Sequence, residues 1–243
     1  MNAPQRASAK HSFLRFGLIV LVVSVCLGMS VFQVYRAIVK TERYDLVVAT
    51  QNAAPVSLNE ATHDVATDLA SLELRQATAR GKWLSDKTIF LDNKIRNRWV
   101  GYHVLTPFQL ENSRAVILVN RGWVVAPRLR SDLPVVSTTE ATIELSGLLR
   151  GFERRVFELK AEGPAGRVWQ HVREAEYRNS SGLSSEFALI PLILLQTNQS
   201  NDGLAREWSA PDHPALHHIG YAVMWLIFTI MAAFYGWMVW KRK

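Results

Sequence analysis

The fold is decided by an uncharged run near the end of the chain. Residues His217 to Lys243 read HHIGYAVMWLIFTIMAAFYGWMVWKRK, and no charged side chain occurs from Ile219 to Trp240. At about 1.5 Å per helical residue, these roughly 22 residues make a helix of about 33 Å, enough to cross the hydrocarbon core of a bilayer. Two histidines stand at one end of the run and three cations at the other. The run therefore predicts a transmembrane helix with a candidate functional residue at its mouth.

A second uncharged run lies near the start of the chain. Phe16 to Tyr35 reads FGLIVLVVSVCLGMSVFQVY, and its length of about 20 residues can also span a bilayer. The run is longer than the apolar part of a signal peptide and no A-x-A-like site follows it, so we expect a retained anchor. The predicted boundaries are a basic tail at 1–15, a first span at 16–36, an outer domain at 37–216, a second span at 217–240 and a basic tail at 241–243.

The net charge of +7 belongs to the two tails. Three cations and no acid precede the first run, and three cations follow the second. Of the 28 basic residues, the other 22 lie between the runs beside all 21 acidic residues, so the middle of the chain is almost neutral. This distribution argues against nucleic-acid binding.

The same tails predict the topology. By the positive-inside rule both termini face the cytoplasm, and the domain between the spans lies on the other side. Residues 1–15 are too short and too weakly amphipathic to make a convincing transit peptide. We therefore expect a multi-pass protein of a bacterial plasma (inner) membrane, with both termini cytoplasmic and its main domain periplasmic.

Between the two runs the pattern is mostly that of strands. The candidate strands are Leu72–Arg80, Thr88–Lys94, Gly101–Leu110, Arg114–Val125, Ala141–Arg150, Val168–Val172 and Phe187–Gln196. Asn112 and Ser113 predict a tight hairpin turn. Short helices are expected at Asp64–Leu74 and Glu174–Asn179, and a loop or hairpin at Phe152–Gly166. The predicted fold class is an α+β membrane protein with two transmembrane helices flanking one β-rich extracytoplasmic domain.

Patterns typical of enzymes are absent from the sequence. It has no GxSxG, GxxxxGK[ST], HExxH or GxGxxG motif, and its single cysteine, Cys26, lies in the first run. Three histidines cluster near the second run: His213, His217 and His218. Pro214 interrupts any regular helical spacing among them, so they make a weak zinc site. His103 and His171 fall in strand-like runs, where a half-buried histidine bonded to the backbone is the simpler interpretation. We expect no enzyme, and an unrecognised envelope enzyme would need a polar cluster in the outer domain.

One face of the second helix combines three residues. His218, Tyr221 and Trp225 stand at i, i+3 and i+7, which places them on the same side. An aromatic belt at the membrane surface explains Tyr221 well, but it does not explain His218. From the residues alone, a ligand for haem iron or another metal remains one of two interpretations of His218.

The first helix offers two residues at the same membrane depth. Gln33 and Arg36 lie three apart at its outer end, on one face. Our hypothesis is that Arg36 pairs with the propionates of a haem whose iron faces His218. The alternative is that Arg36 only anchors the helix at the interface, with its cation extended to water.

These residues fall within motifs that occur in a fixed order. The motifs are QVYRAIVK at Gln33–Lys40, GYHVLTP at Gly101–Pro107, LVNRGW at Leu118–Trp123, GLLR at Gly147–Arg150 and HIGYAVMW at His218–Trp225. In this order they resemble the Surfeit-locus cytochrome oxidase assembly proteins (Surf-one and Shy-one). Two positions depart from the family pattern, since Phe32 replaces a tryptophan and Leu216-His217 replaces an asparagine pair. The spacing to Tyr221 and Trp225 selects His218 rather than His217 as the match to the family histidine.

The resemblance implies an assembly factor for haem-copper cytochrome c oxidase in respiratory-chain biogenesis. Such a factor binds haem a in the membrane as transient cargo and helps insert it into the large catalytic subunit. The family's haem contacts map onto His218, as ligand of the haem iron, and Trp225. Together with their neighbours they define the predicted site: His218, Tyr221, Trp225, Gln33 and Arg36.

The resemblance also implies partners. They are the large subunit of the oxidase, other oxidase assembly or haem a synthesis factors, and membrane lipid. In the outer domain Asn120, Arg121 and Trp123 are candidates for a docking surface. The alternative is that Arg121 and Trp123 pack against the sheet and the membrane face to position the helices. The alternative function is a membrane scaffold that stabilises an oxidase assembly intermediate through the outer domain without binding haem.

Overall fold

The computed structural model describes residues 3–62, 68–129, 132–152, 166–208 and 215–241, with side chains from residue 13 onward. The chain divides into two compact units. One combines Met1–Val48 with Ala210–Lys243, and the other is Ala49–Ser209. The first unit is helical and the second is rich in strands.

The helical unit contains α1, Ala3–Asn52, and α4, Ala215–Lys241. Both helices are long and apolar enough to cross a membrane, and most of their apolar side chains are exposed, as lipid-facing side chains would be. The predicted first span ended at residue 36, but α1 extends well beyond it. It runs on to Asn52 and ends three residues before Pro55, a residue that cannot continue a helix.

The two helices pack antiparallel through small side chains. Ser30 Oγ donates a hydrogen bond to the backbone oxygen of Ala222 at 2.9 Å. Ala222 and Ala37 are both buried, and small residues at such positions let helix backbones approach closely. At the other end of the pair the rings of Phe16 and Trp240 lie 6.3 Å apart. This pairing brings Gln33 of α1 level with the first turns of α4.

In its described residues, the second unit contains eight strands and two short helices. The strands are β1 Val56–Ser57, β2 Gln76–Trp83, β3 Ile89–Arg96, β4 Trp99–Leu110, β5 Ala115–Val125, β6 Ile143–Gly151, β7 Val168–Trp169 and β8 Ala188–Gln196. The helices are α2, Leu58–Ala61, and α3, Glu174–Ser180, and there are 3₁₀ turns at Leu69–Leu72 and Ser85–Lys87.

Five of these strands close into a barrel. The order runs β2, β6, β8, β5 and β4, and β4 pairs back to β2. Within this ring only β5 and β8 are parallel. Strands β3 and β7 extend the sheet beyond β4, and β1 adds to β2. Because the ring is closed, each of its five strands has a hydrogen-bonded neighbour on both sides, and none needs a further partner for its backbone N–H and C=O groups.

Side chains from all five ring strands fill one hydrophobic core. Its members include Ala79 of β2, Phe108 of β4, Ile117 of β5, Leu149 of β6 and Leu194 of β8, each at most 1% exposed. Leucine, isoleucine and phenylalanine alternate with outward-facing residues along these strands, which is how a small barrel fills its interior. The core is therefore a packed interior rather than a channel.

The structure confirms the predicted class and several elements, with corrections. Two candidate membrane helices flank a β-rich domain, the turn at Asn112 joins β4 to β5, and α3 forms at the predicted helix. The predicted strand at Leu72–Arg80 begins late, at Gln76, because Leu69–Leu72 form a 3₁₀ turn. That turn also replaces the end of the helix predicted over Asp64–Leu74. Residues 64–67 of that helix and residues 153–165 of the predicted loop lie outside the described residues.

Candidate functional site

His218 stands near the start of α4 and faces α1. Its Nδ1 lies 2.8 Å from Oε1 of Gln33, and both side chains are half-buried. With the amide oxygen as acceptor, Nδ1 carries the ring proton and Nε2 keeps its lone pair. His217, the adjacent residue, is exposed. The helix pair therefore orients one of the two histidines and leaves its Nε2 available to a ligand.

The other residues of the predicted site are placed less closely. Arg36 and Tyr221 are exposed. Trp225 is half-buried, with its ring 5.9 Å from the ring of Phe228 in an edge-to-face arrangement. The described contacts thus join Gln33 to His218, while the aromatic residues lie along α4 towards the middle of the helix.

An apolar groove runs between the two helices beside this pair. Its volume is about 510 Å³. Its lining is Ser30, Val34, Ala37, Ile38, Thr41, Glu42, Ala215, Ile219, Ala222, Val223 and Leu226. None of the five predicted site residues lines the groove. Its lining lies on the adjoining face of each helix, where Val34 follows Gln33 and Ile219 follows His218. Sequence analysis missed the groove, although aliphatic residues four apart on each helix were its signal.

The LVNRGW motif is largely buried in the barrel domain. The side chain of Arg121 is 2% exposed, and Asn120 is also buried. Arg121 Nη2 donates to the Ser137 oxygen at 2.7 Å and to Asp202 Oδ2 at 3.2 Å, while its guanidinium lies 4.7 Å from the centre of the Trp83 ring. The side chains of Asn120 and Arg121 therefore offer almost no surface to a partner, and the burial of Arg121 favours the alternative that it packs inside the domain.

The rest of the motif, Gly122 and Trp123, contacts the segment of chain that follows β8. The backbone of Trp123 exchanges hydrogen bonds of 2.8 and 2.9 Å with Ala205, and its indole Nε1 donates to the Lys94 oxygen at 2.7 Å. Gly122 has φ +139°, and a Cβ there would lie 2.6 Å from the Ala205 oxygen. Only Trp123 of the three docking candidates is partly exposed. The motif holds the barrel to residues 202–208.

Asp202 is the residue that sequence analysis missed. Its Oδ2 accepts from both Arg121 and Arg206, and all three side chains are at most 3% exposed. Burial lowers the pKa of Arg121, and the Asp202 carboxylate opposes that shift. A buried arginine in an apolar strand needs an acid, which was the available signal, but the sequence does not say which acid.

A polar pocket does occur in the barrel domain. Its volume is about 550 Å³, and its lining is Asn93, Lys94, Ile95, Arg96, Asn97, His103, Trp123, Ala205, Glu207 and Trp208. His103 Nδ1 lies 3.1 Å from Asn120 Nδ2, so its partner is a side chain and not the backbone we expected. The lining contains no hydroxyl or thiol that could act as a nucleophile beside this imidazole.

We expect His103 to make the domain sensitive to acid. Burial, with a smaller contribution from Lys94, lowers its pKa from 6.5 to about 4. Between these values the unfolded chain binds more protons than the folded one, so stability falls as the pH drops from 6.5 towards 4. The loss is about 2–3 kcal/mol. Melting temperatures of the detergent-solubilised protein should show this loss, and His103→Gln should flatten it. Parallel pH curves for the two proteins would contradict the assignment.

Within the described part of the chain, no group of three or more His, Cys, Asp or Glu side chains could hold a metal ion. The weak zinc site suggested above includes His213, which lies outside the described residues. His217 and His218 differ in exposure, and only His218 contacts Gln33. Of the two histidines on α4, His218 is therefore the one whose imidazole is held by a contact with α1.

Comparison with known proteins gives consistent relatives. "SURF1-like protein" of Drosophila melanogaster is 29% identical over 168 residues, covering 62% of this chain and 55% of its own. "Surfeit locus protein 1" of Takifugu rubripes is 29% identical over 159 residues, covering 59% and 64%. "Cytochrome oxidase assembly protein SHY1" of Saccharomyces cerevisiae is 25% identical over 184 residues, covering 73% and 46%. The chain thus spans about half to two thirds of the length of these curated relatives.

The family match reaches further than the pairwise ones. The model of the SURF1 family matches residues 20–230, from within α1 to within α4, and includes all eight strands. The five motifs noted in the sequence lie inside that range. The chain therefore belongs to the SURF1 family.

Proposed function

We propose that this protein is an assembly factor for cytochrome c oxidase that binds haem a between its two membrane helices and assists its insertion into the large catalytic subunit. Membership of the SURF1 family, and a relative whose name states cytochrome oxidase assembly, support the assembly role. The observation that carries the haem part is the 2.8 Å contact between His218 Nδ1 and Gln33 Oε1.

This contact has the chemistry of an iron-binding histidine. A histidine ligates haem iron through one nitrogen in its neutral form, and the other ring N–H donates to an acceptor that fixes the ring. Gln33 Oε1 supplies that acceptor and leaves Nε2 for the iron. Gln33 is neutral, and a neutral acceptor makes the imidazole less basic than a carboxylate would. A modest affinity for the iron suits a carrier that must release its cargo.

The surroundings of the contact suit the rest of haem a. Its long isoprenoid tail is insoluble in water, and the groove of about 510 Å³ offers aliphatic side chains such as Val34, Ile219 and Leu226. Arg36 stands one turn along α1 from Gln33 and is exposed, so its guanidinium is free to pair with a propionate. Tyr221 and Trp225 share a face of α4 with His218, outside the groove lining, and would add aromatic surface there.

The proposal also places the protein in a membrane. Basic residues at both ends of the chain support cytoplasmic termini and a periplasmic domain in a bacterial inner membrane. The partners are then the large subunit of the oxidase, together with other oxidase assembly or haem a synthesis factors that hand over the haem. These contacts occur in the membrane, with lipid as the surrounding solvent.

Removal of the imidazole tests the proposal. Protein produced in cells that make haem a should show a Soret absorbance band after purification, and extraction should identify the pigment as haem a. His218→Ala should lose most of that band because the nitrogen that would bind the iron is gone. The matched control is His217→Ala, an exposed neighbour, which should keep it.

The same variants separate the proposal from a scaffold without haem. Equal Soret bands in wild type and His218→Ala would remove the haem assignment. If oxidase assembly in cells were also unchanged in His218→Ala, the scaffold acting through the barrel domain would be the better description. Loss of both haem and assembly in His218→Ala alone supports the carrier.

A further inference from the structure

The hairpin between β3 and β4 carries an apolar tip. Its two turn residues, Asn97 and Arg98, have φ of +49° and +68°, as a tight two-residue turn requires. On either side of the turn, Ile95 is 69% exposed and Trp99 is 67% exposed. Val100, opposite Ile95 in the ladder, is 42% exposed. Three large apolar side chains therefore project at one end of the domain; we call these residues, 95–100, the hairpin tip.

The hairpin tip is also basic. Lys94, Arg96 and Arg98 lie within five positions, and no acidic residue occurs from residue 93 to residue 110. The opposite end of β4 differs, since the turn there contains Glu111 and Asn112. A cavity at that end is lined by polar residues that include Glu60, Glu111 and Glu144. The domain is thus polarised along β4, with a basic, apolar end and a polar, more acidic end.

The combination of side chains at the hairpin tip matches a lipid surface. Tryptophan is enriched at headgroup level in membranes, and aliphatic side chains beside it enter the boundary of the acyl chains. Each Lys or Arg near an anionic bilayer adds attraction to the surface. A protein partner would have to cover apolar and cationic groups on both faces of a two-residue turn, whereas a fluid lipid surface surrounds them without a shaped complement.

The polar pocket beside the hairpin contains cationic hydrogen-bond donors. Arg96 and Lys94 both line this pocket of about 550 Å³. Arg96 Nη2 is bonded to Glu207 at 2.5 Å, but Arg96 Nε is buried without a hydrogen-bond partner among the described residues. The Arg96 side chain is 30% exposed overall, so a phosphate oxygen would meet the accessible part of its guanidinium rather than Nε.

The chain itself ties this end of the domain to a membrane helix. Glu207, which is paired with Arg96, is followed after seven further residues by Ala215, where α4 begins. A short connection of this kind raises the effective concentration of bilayer surface around the hairpin tip. Weak contacts with lipid are then enough for docking.

We propose that the hairpin tip docks on the surface of an anionic phospholipid bilayer, with Trp99 and Ile95 at headgroup level and the adjacent cations on lipid phosphates. This goes beyond the haem function and does not depend on it. Docking would fix the barrel domain against the membrane through a second point besides the helices.

The test uses the full-length protein, free of haem, in lipid nanodiscs. In a Cys26→Ser background, Asn97→Cys carries an environment-sensitive fluorophore at the hairpin tip. The matched control is Asn112→Cys. Both asparagines occupy turn positions with positive φ, +49° and +57°, at opposite ends of β4, which spans about 36 Å at ~3.3 Å per residue. The replacement therefore carries a similar backbone cost at both sites.

In discs that contain anionic lipid, a lipid-borne nitroxide should quench the label at position 97 and not at position 112. Adding Arg98→Ala should weaken the docked state about fivefold for the one cation removed, and high salt should act in the same direction. A label at 97 that is unquenched, or both labels quenched equally, would overturn the proposal. So would quenching that appears only after a membrane protein partner is added. Matching melting temperatures of the two labelled proteins show that both are folded.

Discussion

Replacing Asp202 with alanine is expected to destabilise the barrel domain by about 3–5 kcal/mol. The carboxylate is 3% exposed and accepts from two buried arginines, Arg121 and Arg206. Its other oxygen accepts from the backbone nitrogen of Leu204 at 3.2 Å. Without the acid, two cations remain in a site that water does not reach, which is the costly way to break a buried ion pair. Unfolding in denaturant, followed by tryptophan fluorescence, measures the loss.

The control for this variant is Asp86→Ala. Asp86 also pairs with a cation, Lys87 at 3.5 Å, but its side chain is 72% exposed, so its loss should cost less than about 1 kcal/mol. Asp202→Asn keeps the shape and the acceptor while removing the charge, and should fall between the two. A Asp202→Ala protein as stable as Asp86→Ala would show that the two arginines are not held by this acid.

Replacing Gln33 with leucine is expected to weaken haem binding about 10–100-fold with His218 still in place. Leucine is close to glutamine in size but offers no acceptor, so His218 Nδ1 loses its partner at 2.8 Å and the ring loses its fixed tautomer. The spectrum should keep the features of histidine ligation at saturating haem, because the ligand remains. Titration of the purified protein with haem a, read from the Soret band, gives the affinity.

Two further variants make that result specific. Ser30→Ala removes the bond from Ser30 to the Ala222 backbone, another contact between α1 and α4, without touching the imidazole. It should leave haem affinity close to that of the wild type. Gln33→Glu keeps an acceptor for Nδ1 and should restore most of the affinity that leucine loses. Equal haem affinity in Gln33→Leu and the wild type would contradict the role of this contact.

The parts of the fold that the sequence predicts are those set by local pattern. Two uncharged runs predict α1 and α4, and Asn112 predicts a hairpin turn that the structure contains. The sequence also predicts that Gln33 and His218 lie at the same membrane depth, because two spans with both chain ends on one side of the membrane must run antiparallel. The hydrogen bond between the two side chains was not predicted and is seen only in the structure.

The parts that the sequence does not predict depend on residues far apart in the chain. Asp202 lies 81 residues from Arg121, and nothing local distinguishes it from the other acids. The position of β8 between β5 and β6 is equally non-local. For this reason the sequence left two interpretations of Arg121 open, docking and packing, and only the structure shows that its guanidinium is enclosed by the segment that returns from β8. The LVNRGW motif draws attention to Arg121, but only its burial in the structure indicates that it holds the domain together.

The closed ring of strands has a consequence for how the protein is made. Strand β8 pairs with both β5 and β6, so the barrel stays open until Gln196 has been synthesised. Only residues 197–214 then precede α4. At about 5–20 residues per second, the ribosome makes these 18 residues in roughly one to four seconds. Until β8 docks, the apolar edges of β5 and β6 are exposed to aggregation or proteolysis. Substitutions that slow this closure would therefore lower the amount of protein in the membrane even where they leave its ligand binding unchanged.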